Sequence, residues 1–122
     1  MSGNNVANGT INNNTTYPLW LVSSTINSGH WNTAPLTVPA NTTLTGAFVA
    51  QGTSGTATGT SGQVVYNLNG YSPSTNVTLN FDDPYSSSNS ASASSSTSGI
   101  SATASVPKSG SNVVFTYTIG AA

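Results

Sequence analysis

Apolar and polar residues alternate with a period of two along almost the whole chain. Near the end, Val113, Phe115, Tyr117 and Ile119 fall on one face, and Val114, Thr116 and Thr118 on the other. Val77, Leu79 and Phe81 alternate with Asn76, Thr78, Asn80 and Asp82. The same reading holds for Ile100–Val106, for Val64, Tyr66 and Leu68, and for Leu44, Phe48 and Ala50 with Gly46 between them. In YPLWLVSST, Tyr17, Leu19 and Leu21 share one face and Trp20 and Val22 the other. Further strands are expected near Val6–Asn12 and Ser90–Ser96. Successive side chains of a strand point to opposite faces, so each segment has one face for a core and one for water. No segment repeats at the helical period.

Turn signals separate these runs: NSG at Asn27–Gly29, the Gly-rich Gly52–Gly62, NG at Asn69–Gly70, Ser72-Pro73, Asp83-Pro84 and PKSG at Pro107–Gly110. About seven or eight short strands with such breaks predict an all-β, single-domain antiparallel β-sandwich over residues 1–122. Residues 1–11 read either as a first strand or as an extended N-terminal arm.

Composition sharpens this picture. Apolar residues make up 35% of the 122 and charged residues only 2%, against about 25% charged in ordinary soluble domains. Asp82 and Asp83 are the only acidic side chains, Lys108 the only basic one and His30 the only histidine; the formal net charge is −1. One lysine cannot supply the basic footprint that nucleic acid requires. Little repulsion keeps copies apart, and edge strands lack the charges that usually block edge pairing. Self-association is therefore expected. Assembly should change little between about pH 5 and 8 except through His30, and alkaline disassembly should need tyrosine ionisation near pH ~10. There is no cysteine. The opening MSGNNVANGTINNN carries neither the basic nor the apolar region of a secretory signal, so synthesis in the cytoplasm, with deposition in an intracellular inclusion, is expected. The N-x-[ST] matches at Asn8, Asn13, Asn14, Asn41 and Asn76 are what chance yields in a chain so rich in Asn, Ser and Thr.

The chemistry-bearing residues are few. Neighbouring residues on a strand point apart, so Asp82 and Asp83 would not converge on one substrate, and no third carboxylate side chain exists to pair with either. A weak calcium site could use both with neighbouring oxygens, but the spacing of a dedicated loop is absent. The plainer reading is a turn in which aspartate accepts backbone N–H bonds and Pro84 stiffens the exit. His30 has no nucleophile elbow to serve. The Gly-rich GTSGTATGTSG lacks the lysine of a phosphate loop, and its T-x-T spacing is too short and broken for a flat ice-binding array. No catalytic residue, metal or cofactor is expected. Trp20, on the face opposite Leu19 and Leu21, is expected to be exposed or at an interface. Trp31 reads as either a core lid or a binding residue.

The order of motifs resembles the aegerolysin superfamily, and most of all the small component of bacterial binary insecticidal crystal proteins. NNNTTYPLWL (Asn12–Leu21) resembles the first strand of that family. SGHWNTAP (Ser28–Pro35) is similar to its G-x-W-x-T-x-P segment, and TGAFVAQG (Thr45–Gly52) to its F-V-A strand. TGTSGQVVYNLNG (Thr58–Gly70) looks like the T-G-T-E-G hairpin, with Ser61 in place of the glutamate. VTLNFDDPYSSSN (Val77–Asn89) resembles the signature [FW]-D-x-P-[FWY]-x-[GS]-x-N, and NVVFTYTI (Asn112–Ile119) the closing strand. The pieces span nearly the whole chain. The resemblance implies a β-sandwich without enzymatic activity that binds membrane lipid, forms pores with a larger partner toxin protein and is laid down as crystalline inclusions. Without toxin activity, the same self-assembly would serve a purely structural or storage role. By the same carry-over Trp31, Tyr85 and, from its exposure, Trp20 become candidate lipid- or partner-binding residues. Asp82 and Pro84 take the structural turn, and Asp83 the variable position.

Overall fold

A computed structural model describes residues 5–53 and 58–122. Its nine strands are β1 (Val6–Asn13), β2 (Leu19–Ser28), β3 (His30–Thr33), β4 (Thr42–Gln51), β5 (Thr60–Leu68), β6 (Asn76–Asp83), β7 (Ser90–Ser95), β8 (Ile100–Ser105) and β9 (Asn112–Ala121). They form two sheets, one five-stranded in the order β3-β4-β1-β9-β8 and one four-stranded in the order β2-β5-β6-β7. The all-β sandwich is as the alternation requires.

One feature departs from expectation. All strand pairs are antiparallel except β1 and β9, which run parallel from Val6 opposite Asn112 to Asn13 opposite Ile119. Alternation specifies which face is buried but not strand direction. The strand expected near Val6–Asn12 is present as β1. From Val6 onward it is an interior strand, bonded on one side to β4 and on the other to β9. Residues 1–4 of the expected arm, and residues 54–57 of the Gly-rich segment, lie outside the described residues.

The core lies between the sheets. Val77, Leu79 and Phe81 of β6, Val64, Tyr66 and Leu68 of β5, and Val113, Phe115, Tyr117 and Ile119 of β9 are all buried. An aromatic cluster forms its centre. The Phe48 ring lies 5.2 Å from Phe81 and 6.1 Å from Tyr117, and Phe81 lies 5.9 Å from Phe115. Such offset and edge contacts add to what burial alone contributes. Gly9 on β1 makes room for it, because a Cβ there would run into the Phe48 ring. On β4 the alternation breaks at Gly46, which takes a left-handed φ of 65°. That irregularity buries Ala47 beside Phe48.

The two deepest tyrosines keep their hydroxyls satisfied. Tyr66 donates to the Leu36 carbonyl at 2.6 Å and Tyr117 to the Asn80 carbonyl at 2.7 Å. Burial pushes both phenols far above the usual tyrosine range. Alkaline disassembly near pH ~10 therefore cannot start from these two.

Buried asparagines tie the loops. The Asn13 amide donates to Tyr17 and Pro39 carbonyls at 2.8 and 3.1 Å, while its Oδ1 accepts from the Thr15 N–H and hydroxyl. Asn89 donates its side-chain amide to Pro107 and Gly110 carbonyls, both at 3.0 Å. Each replaces solvent with fixed bonds, which is what a buried amide requires.

Candidate functional site

Two regions stand out, at opposite ends of the sandwich. The first is where β6 ends. Asp83 closes the strand fully buried, opposite Thr60. Its Oδ1 accepts from the Asn5 side-chain amide at 2.9 Å, and the same amide donates to the Pro84 carbonyl at 2.9 Å. Asp83 Oδ2 has no hydrogen-bond partner among the described residues. Burial raises this carboxyl to about 6; the Asn5 bond pulls it down, and neighbouring Asp82 pushes it up. Asp82 lies exposed on the outer face, opposite Ser61 on one side and Ser90 on the other.

Of the two aspartates it is Asp83, not Asp82, whose side chain ties the strand end inward, through the Asn5 amide rather than a turn N–H. Period two decides it: with Phe81 inward, Asp82 must point out and Asp83 in. Pro84 is half-buried and keeps its place at the turn, its carbonyl held by Asn5. A second expectation shifts with it. Asp83 now titrates inside the pH 5–8 window that His30 alone was to occupy.

Beyond this turn the β6–β7 loop and the β8–β9 loop enclose a shallow cavity of about 430 Å³. Asn5, Tyr85, the Ser86–Ser88 run, Lys108 and Ser111 line it. Tyr85 is 42% exposed. Asn89 pins the two loops together, its N–H donating to the Lys108 carbonyl at 2.9 Å. The lining offers hydroxyls, one phenol and one ammonium. These can hold a polar ligand, and among the described residues that line the cavity there is no imidazole or carboxylate to activate a nucleophile. Among the described residues no group of three or more His, Cys, Asp or Glu could hold a metal ion.

The second region is the start of β2. Leu19 is buried and forms an isolated bridge with Val38 of the β3–β4 connection. Trp20, opposite Asn67 on the outer face, is 53% exposed. Leu21 shares the inner face with Leu19, as the alternation predicted, opposite buried Tyr66, and a register shift between Leu21 and Ser23 interrupts the ladder after it. Leu21 is 40% and Val22 54% exposed. Leu36, two residues before Val38, is 46% exposed. Its N–H donates to the Ala47 carbonyl at 2.9 Å and its carbonyl accepts from the Tyr66 hydroxyl, which hold it near the start of β2 through Val38. Four large apolar side chains are therefore exposed at this end of the sandwich, Trp20 on the outer face and Leu21 on the inner, with no charged residue in β2 or in residues 34–41. Sequence reasoning missed Leu36 and this grouping. Its signal was an apolar residue between Pro35 and Pro39, which hold the segment extended.

Trp31 belongs to neither region. It is half-buried on β3, 5.8 Å from the Phe48 ring and 5.7 Å from Phe81. Of its two readings, the geometry matches the core lid. The three aromatic candidates are therefore not assembled into one site: Trp20 lies at one end, Tyr85 at the other, and Trp31 caps the core. Among the described residues no helix is long and apolar enough to cross a membrane.

A scan of family models and a search of curated proteins each find no match to the sequence. Among solved structures, the crystal structure of the lipid binding protein Nakanori at 1.5 Å matches with a TM-score of 0.82. The chain folds like that protein. The match covers 96% of this chain and 71% of the other at 12% identity, so the likeness is one of fold. It is the β-sandwich that the alternation predicted.

Proposed function

We propose that the protein is a non-enzymatic, aegerolysin-like module that binds lipid surfaces through Trp20, Leu21, Val22 and Leu36. The observation that carries this reading is that these four large apolar side chains are exposed at one end of the sandwich, where β2 carries no charge. Soluble proteins seldom group large apolar side chains on the surface unless something covers them. Tryptophan favours the boundary between headgroups and acyl chains, where its ring is sheltered and its N–H stays wet. The fold likeness to a lipid-binding protein agrees with this use.

Magnitudes set a condition on it. Half-exposed side chains of this size gain roughly 1 kcal/mol each on transfer to an apolar phase. Four give about 4 kcal/mol, an affinity near 1 mM. Useful attachment therefore needs either a headgroup contact or more than one cluster per particle. The Tyr85–Lys108 cavity lies at the opposite end and cannot serve the same membrane contact.

In the fuller form of this proposal the protein self-assembles into ordered inclusions inside the cell that makes it and, once released, forms pores together with a larger partner toxin. A purely structural, crystal-forming role is the second reading. It is favoured by one specific observation, the near absence of charge: one basic and two acidic side chains in 122 residues.

Vesicle co-sedimentation tests the lipid reading. Sphingomyelin–cholesterol and phosphatidylcholine vesicles should pull down the wild type and shift tryptophan emission to the blue. Trp20→Ser should bind about tenfold more weakly, the equivalent of ~1.4 kcal/mol. Absence of binding to both compositions, or unchanged binding by Trp20→Ser, would leave the structural role standing.

A further inference from the structure

The four-stranded sheet ends differently on its two sides. At one edge β7 packs against β8 of the other sheet. At the other, among the described residues β2 has a strand neighbour on its β5 side only, and the Leu19–Val38 bridge covers just its first residue.

The direction of the backbone groups along β2 follows from the ladder. The Leu68 N–H turns away from β2, donating to the Thr75 carbonyl at 3.0 Å. Alternation along β5 then makes Val65 and Gln63 the residues that bond toward β2, where they face Ser23 and Thr25. Ser24 and Ile26 in turn direct their N–H and C=O away from the sheet. Register shifts at Leu21/Ser23 and Ile26/Ser28 bound this stretch, leaving Ser23–Ile26 regular. Ser23, Ser24 and Thr25 are exposed and Ile26 is half-buried. Natural edges are usually guarded by charge or proline within the strand. Here β2 contains neither.

We infer that the Ser23–Ile26 edge of β2 pairs antiparallel with the same edge of a second copy, about a two-fold axis through Thr25. A strand paired with its own copy in this way is self-complementary. Ser24 of one molecule faces Ile26 of the other, donors meet acceptors, and the reciprocal pair repeats it. Side chains agree, because Ser24 and Ile26 share the inner face while the two Thr25 side chains meet on the outer one. No charge on β2 opposes the approach, and the net charge of each chain is only −1. The two four-stranded sheets become one continuous sheet of eight. Trp20 faces outward opposite Asn67. Both copies therefore present it on the same face, about 30 Å apart at ~3.3 Å per strand residue. This pairing does not rest on lipid binding, though it would supply the second cluster that weak attachment needs.

Sedimentation velocity over a concentration series tests the pairing. Wild type and Thr25→Ser should pass from monomer to dimer as concentration rises. Thr25→Lys, which sets two ammonium groups on the axis, should remain monomeric with an unchanged circular dichroism spectrum. Amide exchange on the wild type needs no variant: Ser24 and Ile26 should gain at least about tenfold protection in the dimer. A wild type that stays monomeric, a Thr25→Lys variant that dimerises like wild type, or a dimer without protection at Ser24 and Ile26 would each overturn the inference. Vesicle binding keeps the two readings apart. Monomeric Thr25→Lys should still bind vesicles weakly, and Trp20→Ser should still dimerise.

Discussion

Trp31 lies within 5.8 Å of the Phe48 ring and 5.7 Å of the Phe81 ring, whereas Trp20 is 53% exposed beside Leu21 and Val22. The two side chains are eleven positions apart in the chain, and both read as binding candidates. Trp31 completes an aromatic cluster that also includes Phe115 and Tyr117. Trp20 stands on an edge strand, on its outer face opposite Asn67. The contrast shows that aromatic identity does not separate a core residue from a contact residue. What separates them is the face each side chain takes: Trp31 turns toward the rings of the core, and Trp20 turns to the outer face of its sheet.

Substitutions can break that contrast, and their effects should fall in order. Phe48→Ala empties the centre of the cluster and should cost about 3–5 kcal/mol of unfolding free energy in urea. A loss under ~1 kcal/mol would mean that the cluster is not the stabilising element. Trp31→Ala, at the half-buried margin, should cost about 2–4 kcal/mol. A stability close to wild type together with weakened vesicle binding would instead move Trp31 into the contact class.

The loop end offers a pH test of the same inside-versus-outside distinction. The Asp83 carboxyl is raised in the folded protein to about 6, against about 3.9 in an unfolded chain. Between those values the folded state binds the proton more tightly than the unfolded state, so stability falls as pH rises through this window. The drop should be at most about 3 kcal/mol, and thermal melts from pH 4 to 7 should show it. Asp83→Asn should flatten the profile; a profile that keeps its slope would place the titration elsewhere. The smallest effects belong to exposed positions. Asp82→Ala and Trp20→Ser should each change stability by less than about 0.5 kcal/mol, and a larger loss in either melt would show that its side chain is structural.

Much of the fold was readable before any coordinates. Val77, Leu79 and Phe81, or Val113 to Ile119, alternate so regularly that the buried face could be assigned residue by residue. The same rule, carried two residues past Phe81, would have pointed Asp83 inward. The resemblance of FDDPY to a family signature drew attention to Asp82 instead. The partners of Asp83 and Asn89 were not readable. Asn5 lies 78 positions before Asp83, and Pro107 lies 18 after Asn89. Asparagines in this composition are too common for any one to announce itself.

By itself the sequence determined the class of fold, the inward residues of the regular strands and the near absence of charge. These depend only on side-chain polarity and on the two-residue repeat of a strand. Tertiary structure decided what depends on neighbours distant in sequence: the parallel pairing of β1 with β9, the burial of Asp83, and the bridge that brings Val38 to the start of β2. It also decided which strand is left with an open edge. Backbone hydrogen bonding is the same for every residue type except proline, so the pattern of side chains cannot say which of nine strands will lack a partner.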